Sequence, residues 1–321
     1  MKLGMFAALF LDQPLERALD IARDLGLQAI EIGAGNFATT AHCDPDALLK
    51  DDALRGAFLK AVEKRGLEIS ALNSSGNPIH PDPAFASKSV HELEKAMELA
   101  SKIGLRTVIS FSGCPGADDG SRLPNWITCP WPPYYAEAIA WQWEKKVVPF
   151  WVDMARKAKK LNVKFAFEMH PGFSVYNPET LLLLREKVGM EEIACNLDPS
   201  HLFWQGVDAA VAVRRLGSAI IHVHAKDCSV DRSVVAYRGV IDWKHYGDLL
   251  NRAWTFRTVG YGHDLGTWNE FFSALRAVGY DGVISIEHED ALMSKEEGLK
   301  KAVEFLKKSM IFQKAGEMWW A

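Results

Sequence analysis

Four residues with metal-binding side chains occupy equivalent places in the second half of the sequence. Each ends or directly follows a short apolar run typical of a buried strand, and the four are Glu168, Asp198, His224 and Glu287. Carboxylate oxygens with a single imidazole suit Mn²⁺, Mg²⁺ or Co²⁺, and zinc with mixed ligands is an alternative. The pattern therefore predicts a divalent metal site, with Mn²⁺ as the first choice.

The alternation of side chains along a strand supports this prediction. Each of the four residues shares a face with the residue two positions earlier, and these earlier residues are small or polar: Ala166, Asn196, His222 and Ser285. The residues between them are mostly apolar and are expected to face helices. Three carboxylates that converge on one partly desolvated point repel one another, so a cation is expected between them.

Each of the four residues, taken singly, has a plainer explanation. A glutamate pairs with a lysine or caps a loop, an aspartate before proline caps a turn, and a buried histidine is often simply hydrogen-bonded. Their joint occurrence at the ends of four successive strands favours the metal site. His201, three residues after Asp198, is a further candidate for binding substrate or bracing a ligand, as are His170 and Lys226.

Apolar, β-rich runs alternate with amphipathic helical segments along the whole chain. The predicted strands are 3–10, 28–33, 67–73, 107–112, 164–168, 193–198, 219–224 and 282–287. The predicted helices are 15–25, 46–65, 89–103, 136–160, 178–188, 208–216, 268–278 and 295–310. Strict alternation requires a parallel sheet, and eight units favour its closure into an α/β barrel of the (βα)₈ (TIM barrel) type. A Rossmann fold is not favoured because the first strand is not followed by Gly-x-Gly-x-x-Gly.

We expect a single domain over residues 1–321, because no low-complexity linker divides the chain. Two long segments follow strands: 113–135 is rich in Pro and Trp, and 228–266 is rich in Arg, Tyr and Gly. Barrel enzymes build their sites from the loops after strands. Both segments are therefore expected to form walls or a lid over the metal site.

The composition excludes several other classes of protein. With 48% hydrophobic and 24% charged residues the chain is typical of a soluble globular protein, and its net charge of −4 does not favour nucleic acid or anionic membranes as partners. Five cysteines without Cys-x-x-Cys spacing indicate reduced thiols. No apolar stretch reaches the ~18–20 residues of a membrane span and no signal-peptide pattern is present, so a cytoplasmic location is expected.

Two tryptophans, Trp319 and Trp320, lie close to the end of the chain. Large aromatic side chains at a terminus indicate docking on a neighbouring subunit, and therefore a homo-oligomer. Packing within the same chain is the alternative.

Four motifs at and after the later strands carry a family resemblance. They are NLDPSH at 196–201, HVHAKD at 222–227, GYGHD at 260–264 and YDGVISIE at 280–287. Together they resemble the xylose-isomerase-like superfamily of metal-dependent barrels, which includes D-tagatose 3-epimerase, inosose dehydratase, hydroxypyruvate isomerase and endonuclease IV. The resemblance spans nearly the whole chain, and it is specific for the superfamily rather than for a substrate.

The resemblance implies roles for the four residues. Glu168, Asp198, His224 and Glu287 would bind the metal, and Glu168 and Glu287 would also form the acid/base pair that moves a proton next to a sugar carbonyl. A metal on the carbonyl and a neighbouring hydroxyl would stabilise the enediolate. Return of the proton to the opposite face gives epimerisation, and return to the adjacent carbon gives isomerisation.

The resemblance also concerns substrate binding. The histidine of the Asp-x-x-His element, here His201, contacts the substrate in the family's 3-epimerases. Those enzymes carry a sugar-binding arginine six residues after the metal histidine, where this chain has Val230. This chain therefore has no counterpart of that arginine at the same spacing. Arg257 is a substitute, and a structural ion pair is the alternative for it.

The expected function is that of a sugar isomerase or epimerase acting on a small-molecule sugar or keto-sugar. Expulsion of a group at the β-carbon would instead make the enzyme a lyase or dehydratase of 3-keto-glycosides or inososes. An endonuclease-IV-like repair enzyme needs a three-metal site with more histidines and a basic groove, which the acidic balance disfavours. A catalytically silent binding protein on the same barrel is the remaining alternative.

Overall fold

The computed structural model describes residues 1–321, and eight of its ten strands close a parallel barrel. The barrel strands are β1 (Lys2–Phe6), β2 (Ala29–Gly33), β3 (Glu68–Asn73), β4 (Thr107–Ser110), β5 (Lys164–Glu168), β6 (Ile193–Leu197), β7 (Ile220–Ala225) and β10 (Val283–Ile286). Each barrel strand pairs with the barrel strands before and after it in the chain, and β10 closes the barrel against β1. The predicted (βα)₈ barrel is confirmed.

Twelve α-helices connect and surround the strands. They are α1 (Leu15–Asp24), α2 (Pro45–Lys50), α3 (Asp52–Glu63), α4 (Pro83–Lys102), α5 (Pro133–Trp141), α6 (Val148–Lys160), α7 (Pro178–Val188), α8 (Ser200–Phe203), α9 (Ala209–Leu216), α10 (Arg232–Arg238), α11 (Leu265–Ala277) and α12 (Lys295–Ser309).

The two faces of β5 show how the barrel is packed. Phe165 and Phe167 point outward and contact Trp151 of α6, with ring centroids 5.3 and 4.5 Å apart. Ala166, between them, points inward and packs with Ala71 and Ile109 of neighbouring strands. Because side chains alternate along a strand, apolar residues fill the space under the helices while inward-facing positions remain for polar groups.

Two predicted helices are interrupted. The segment 46–65 forms α2 and α3, because Asp51 is extended and its carboxylate accepts hydrogen bonds from the N–H groups of Ala53 and Leu54. An aspartate in this position begins a new helix. The segment 136–160 contains a π-helical turn at Gln142–Val147 just before Pro149. Proline has no N–H to donate to the preceding turn, and the wider turn accommodates its ring.

The segment 228–266, expected to be a long loop, contains regular structure. β8 (Asp227–Val230) and β9 (Trp254–Arg257) form an antiparallel pair outside the barrel, and α10 lies between them in the chain. Each strand has four residues. This is too short for the alternation of burial to distinguish a strand from a loop in the sequence.

The terminal aromatics are exposed to solvent. Trp319 and Trp320 are 87% and 68% exposed, so the packing within the chain that was their alternative explanation is not observed. The homo-oligomer remains a prediction.

None of the helices combines the length and apolar character needed to cross a membrane. The five cysteines are free thiols, and four of them are buried.

Candidate metal centre and adjoining cleft

The four predicted metal ligands lie together at the carboxyl ends of four adjacent barrel strands. Glu168 ends β5, His224 lies near the end of β7, and Asp198 and Glu287 directly follow β6 and β10. One ligand atom from each residue lies within 4.8 Å of the others. The barrel therefore brings three carboxylates and one imidazole to a single point.

Two atoms of this group lack hydrogen-bond partners. Oδ2 of Asp198 and Nδ1 of His224 are buried, and neither makes a hydrogen bond of ordinary geometry with the protein, although Nδ1 lies 3.0 Å from Oε2 of Glu287 and Oδ2 lies 3.3 Å from Nε2 of His201. A buried polar atom without a partner costs about 1–3 kcal/mol, and more when it is charged. A divalent cation would be a partner for both atoms, so the residues present fit such a cation.

The two glutamates experience opposite electrostatic environments. Burial raises the pKa of Glu168 well above its ordinary value, and the charge of Glu287 raises it further. Burial also acts to raise the pKa of Glu287, but the positive charges of Lys226 and His224 outweigh it and lower that pKa. Lys226 and His224 are therefore the groups of this chain that compensate the clustered carboxylates.

Glu31 of β2, which the sequence pattern did not single out, contacts the imidazole of the centre from the other side. It is fully buried, and Nε2 of His224 donates to its Oε2 at 2.9 Å. The carboxylate also accepts from Asn73 Nδ2 and Ser285 Oγ, both at 2.8 Å. This arrangement directs Nδ1 of His224 toward the candidate metal centre, where a bound cation would replace the proton on that nitrogen. The sequence did contain a feature that could have identified Glu31: like Glu168, it is a carboxylate within an otherwise apolar strand.

Glu31 also forms a second group of potential ligand atoms with His222 and His224. These atoms already bond within the protein. His222 Nδ1 donates to Asn196 Oδ1 at 2.9 Å, and burial lowers the pKa of His222 to about 4. Because the imidazole of His222 is neutral and bonded, this group is a hydrogen-bonded support beneath the centre.

Two of the predicted substrate-binding residues contact the carboxylates directly. Nε2 of His201 lies 3.1 Å from Oε1 of Glu168 and 3.3 Å from Oδ2 of Asp198. Nζ of Lys226 lies 3.1 Å from Oε2 of Glu287 and 3.5 Å from Oδ2 of Asp198. Burial lowers the pKa of His201 well below its ordinary value, and the charge of Lys226 acts in the same direction. His201 is therefore neutral.

The other two predicted substrate-binding residues differ in their placement. The ring of His170 packs 4.2 Å from that of His201, so His170 adjoins the centre. Arg257 lies in β9, where its Nε donates to Oδ2 of Asp290 at 3.1 Å, and the same oxygen accepts from the N–H of Thr258. Its charge is thus compensated by Asp290. The geometry favours the structural ion pair for Arg257 over substrate binding.

A cleft of about 430 Å³ opens beside the centre. His170 and His201 are among its lining residues, and five of the others are aromatic: Trp126, Tyr176, Trp204, Tyr246 and Trp254. Both long segments contribute: Trp126 belongs to 113–135, and Tyr246 and Trp254 belong to 228–266. The expectation that these segments form walls at the site agrees with this geometry.

Comparison with known proteins identifies relatives that match most of the chain. The family model described as xylose isomerase-like TIM barrel matches residues 19–309. The uncharacterized protein YfiH of Bacillus subtilis (strain 168) is 42% identical over 301 residues, which cover 92% of this chain and 95% of that protein.

Solved structures with low sequence identity share the fold. The probable 3-DHS dehydratase AsbF of Bacillus anthracis is 18% identical with a TM-score of 0.67, over 96% of this chain and 99% of that one. An L-ribulose 3-epimerase is 18% identical with a TM-score of 0.61, over 96% and 94%. The IOLI protein, crystallised with a zinc atom, is 20% identical with a TM-score of 0.62, over 97% and 99%.

Proposed function

This chain belongs to the xylose isomerase-like TIM barrel family, and on that basis we propose that it is a divalent-metal-dependent isomerase or epimerase of sugars or keto-sugars. One observation carries the proposal: ligand atoms of Glu168, Asp198, His224 and Glu287 converge within 4.8 Å of one another in a buried site. The fold shared with an L-ribulose 3-epimerase supports the reaction class.

We propose that Glu168 and Glu287 transfer the proton. They lie on β5 and next to β10, with two strands between them in the barrel, so they can address a planar carbon from different sides. One glutamate removes the proton beside the carbonyl and the other returns it. A divalent cation held by the four residues supplies Lewis-acid stabilisation of the negative charge that develops on the substrate oxygens.

The residues around the glutamates orient the reaction. Lys226 contacts Glu287 at 3.1 Å and His201 contacts Glu168 at 3.1 Å, so each glutamate has a partner that holds its carboxylate. His201 also lines the cleft, which places it where a substrate hydroxyl would lie. Because Nε2–H of His201 donates to the carboxylates, Nδ1 of the neutral ring remains as an acceptor for such a hydroxyl.

A lyase or dehydratase is the second candidate, and the adjoining cleft favours it. A volume of about 430 Å³ beside the proposed reacting carbon gives room for a leaving group on the substrate. The endonuclease-like reading receives no support from the site, whose four converging ligands include one histidine and three carboxylates.

Deuterium incorporation tests the proposal. The purified protein with Mn²⁺ is incubated in D₂O with D-fructose, D-tagatose and D-psicose, and deuterium at the carbon beside the carbonyl is followed by NMR. We expect exchange and a new sugar isomer or epimer, and about a 10²-fold or greater loss of rate in Glu168→Gln and Glu287→Gln, because general acid/base groups contribute about this much.

The control is Glu304→Gln, the same change on the exposed surface of α12. It should leave the exchange rate unchanged. Exchange that survives both active-site changes would show that these two glutamates do not transfer the proton. Absence of exchange with every sugar tested would favour a binding protein. Release of water or of a substituent from a suitable keto-sugar, without a new isomer, would favour the lyase.

A further inference from the structure

Several polar groups that line the cleft beside the candidate metal centre make no hydrogen bond within the protein. Those that can donate are the indole N–H groups of Trp126 and Trp204 and the hydroxyl groups of Thr128, Tyr176 and Tyr246. The N–H of Trp204 is also buried. A buried donor without a partner is unfavourable, so a ligand that brings an acceptor to it gains binding energy.

The same cleft also presents unused acceptors. Nδ1 of His170 donates to the carbonyl of Pro171 at 2.7 Å, so Nε2 of the neutral ring is an acceptor. Nε2 of Gln205 donates to the carbonyls of His201 and Tyr176 at 2.6 and 3.2 Å, which leaves its Oε1 as an acceptor. Because a hydroxyl group both donates and accepts, a ligand rich in hydroxyls matches this mixture of groups.

The cleft offers no unpaired charge to a ligand. Asp242 is the one lining residue of the Asp, Glu, Lys and Arg types, and its side chain is inaccessible to solvent. Its carboxylate pairs with Arg238 at 3.0 Å and accepts from the N–H groups of Ala253 and Lys244 at 2.7 and 3.0 Å. A phosphate or ammonium group would lose its hydration here without gaining a counter-charge. The cleft therefore favours an uncharged ligand.

The aromatic ring faces of the cleft are largely covered by other side chains. Trp204 and Trp254 stack on each other with ring centroids 4.8 Å apart. The guanidinium of Arg252 lies 4.3 Å from the ring centroid of Tyr246 and 4.7 Å from that of Trp254. Phe256 stacks on Tyr246 at 5.8 Å. Little ring face remains for a flat apolar ligand, so the free hydrogen-bonding groups decide which ligand fits.

The cleft and the candidate metal centre share a residue. His201 lines the cleft, and the same side chain contacts Glu168 and Asp198. A ligand can thus place one part at the carboxylates and another in the cleft. The volume of about 430 Å³ falls within the range of roughly 300–1,000 Å³ found for pockets that bind small molecules.

We propose that this cleft binds a second, uncharged sugar unit bonded to the sugar that reacts at the metal centre, so that the substrate is an unphosphorylated keto-disaccharide. This inference rests on the proposed function, because it assigns the keto-sugar unit to the four converging residues. The donors and acceptors of the cleft hold the second unit through its hydroxyl groups.

Binding of inert glycosides tests the second-sugar subsite. Methyl β-cellobioside, methyl β-maltoside and trehalose present three linkages between glucose units, and none has a carbonyl that the metal centre could act on. Each is titrated into the Mn²⁺-loaded protein by calorimetry, beside methyl and phenyl β-D-glucopyranoside. We expect at least one disaccharide to bind about tenfold or more tightly than either monosaccharide glycoside, because several neutral hydrogen bonds each contribute a factor of about two to ten.

Variants that remove one hydroxyl group locate this preference in the cleft. Tyr176→Phe and Tyr246→Phe should each weaken binding of the preferred disaccharide about two- to tenfold and leave binding of methyl β-D-glucopyranoside unchanged. Tyr237→Phe is the matched control, because this tyrosine lies in the same long segment as Tyr246, is 75% exposed and does not line the cleft. It should leave both affinities unchanged.

The outcomes separate this inference from the proposed function. If no disaccharide binds more tightly than methyl β-D-glucopyranoside, or if the phenyl glycoside binds most tightly, the second-sugar subsite is overturned even when ketohexose exchange is intact. Absence of metal-dependent exchange with every keto-sugar, keto-disaccharides included, would overturn the proposed function and with it the keto-disaccharide as substrate.

Discussion

The two ring nitrogens of His224 have different surroundings. Nε2 donates to the buried carboxylate of Glu31, while Nδ1 faces the other three residues of the candidate metal centre and lies 3.0 Å from Oε2 of Glu287. A carboxylate on the far nitrogen fixes the tautomer and the ring orientation and makes the near nitrogen a better ligand. Glu31 therefore acts through His224 as a positioning residue.

At this position we predict a loss of metal affinity in Glu31→Gln. The change removes the negative charge while keeping the size of the side chain, and we expect Mn²⁺ affinity to fall by about 10–100-fold, the usual effect of losing such a partner. Calorimetric titration measures it, with circular dichroism as the check on folding. Glu68→Gln, on the exposed end of β3, is the control. Equal affinities in the two variants would show that Glu31 does not support the metal site.

The residue types in the centre were accessible from the sequence, but their partners were not. The strand-end pattern selected Glu168, Asp198, His224 and Glu287 because each strand can be recognised locally. Arg257 was proposed for the substrate, whereas in the fold it lies beside Asp290. Its partner is 33 residues away in the chain, and no local pattern indicates such a pairing.

The long segment after β7 is fixed by hydrogen bonds to one aspartate. The buried carboxylate of Asp227, at the start of β8, accepts hydrogen bonds from the N–H groups of Gly260, Gly262 and His263 at 3.0–3.2 Å. Nδ1 of His263 lies 2.7 Å from its other oxygen. Because the carboxylate of Asp227 accepts all of these hydrogen bonds, it fixes the chain between β9 and α11 beside the cleft.

For this element we predict that Asp227→Ala is strongly destabilising. Removal of the carboxylate leaves several part-buried N–H groups and the buried N–H of Cys228 without a partner, and we expect a loss of about 3 kcal/mol or more in the free energy of unfolding. Urea denaturation measures the change. Asp231→Ala, which removes an exposed N-terminal cap of α10, should cost only about 1 kcal/mol. The prediction fails if Asp227→Ala is no more destabilising than its control.

The predicted elements were correct where hydrophobic periodicity extends over enough residues. All eight barrel strands and most helices were predicted, because the strands are short apolar runs that are buried on both faces and the helices repeat apolar residues on one face. The β8–β9 pair was missed because its two short strands are separated by residues 231–253. Only the folded chain brings them side by side.

For the whole molecule, a bound cation would link four strands of the barrel. Its ligands come from the ends of β5, β6, β7 and β10, which are adjacent in the barrel. The unfolded chain does not hold these four side chains together, so a cation would bind the folded state in preference. Metal binding is therefore coupled to the stability of the entire barrel.

We predict that Mn²⁺ raises the melting temperature of the chelator-treated protein. At about 100 times its dissociation constant, a ligand specific for the folded state adds ~2.7 kcal/mol of stability, which corresponds to several degrees. Differential scanning calorimetry measures the shift. Asp198→Asn, which weakens a buried ligand at constant volume, should show a much smaller response to Mn²⁺. Wild-type protein that melts at the same temperature with and without Mn²⁺ would contradict a metal site here.

The amino-acid sequence by itself determined the (βα)₈ barrel, the family resemblance and the four residues proposed to bind the metal. These follow from periodicity and residue type, which are local properties. The tertiary structure alone decided that Glu31 supports His224, that Asp227 holds the return from β9, that Arg257 pairs with Asp290 and that aromatic residues from both long segments wall one cleft. Those contacts join residues far apart in the chain, so they depend on strand order, register and barrel closure rather than on any single segment.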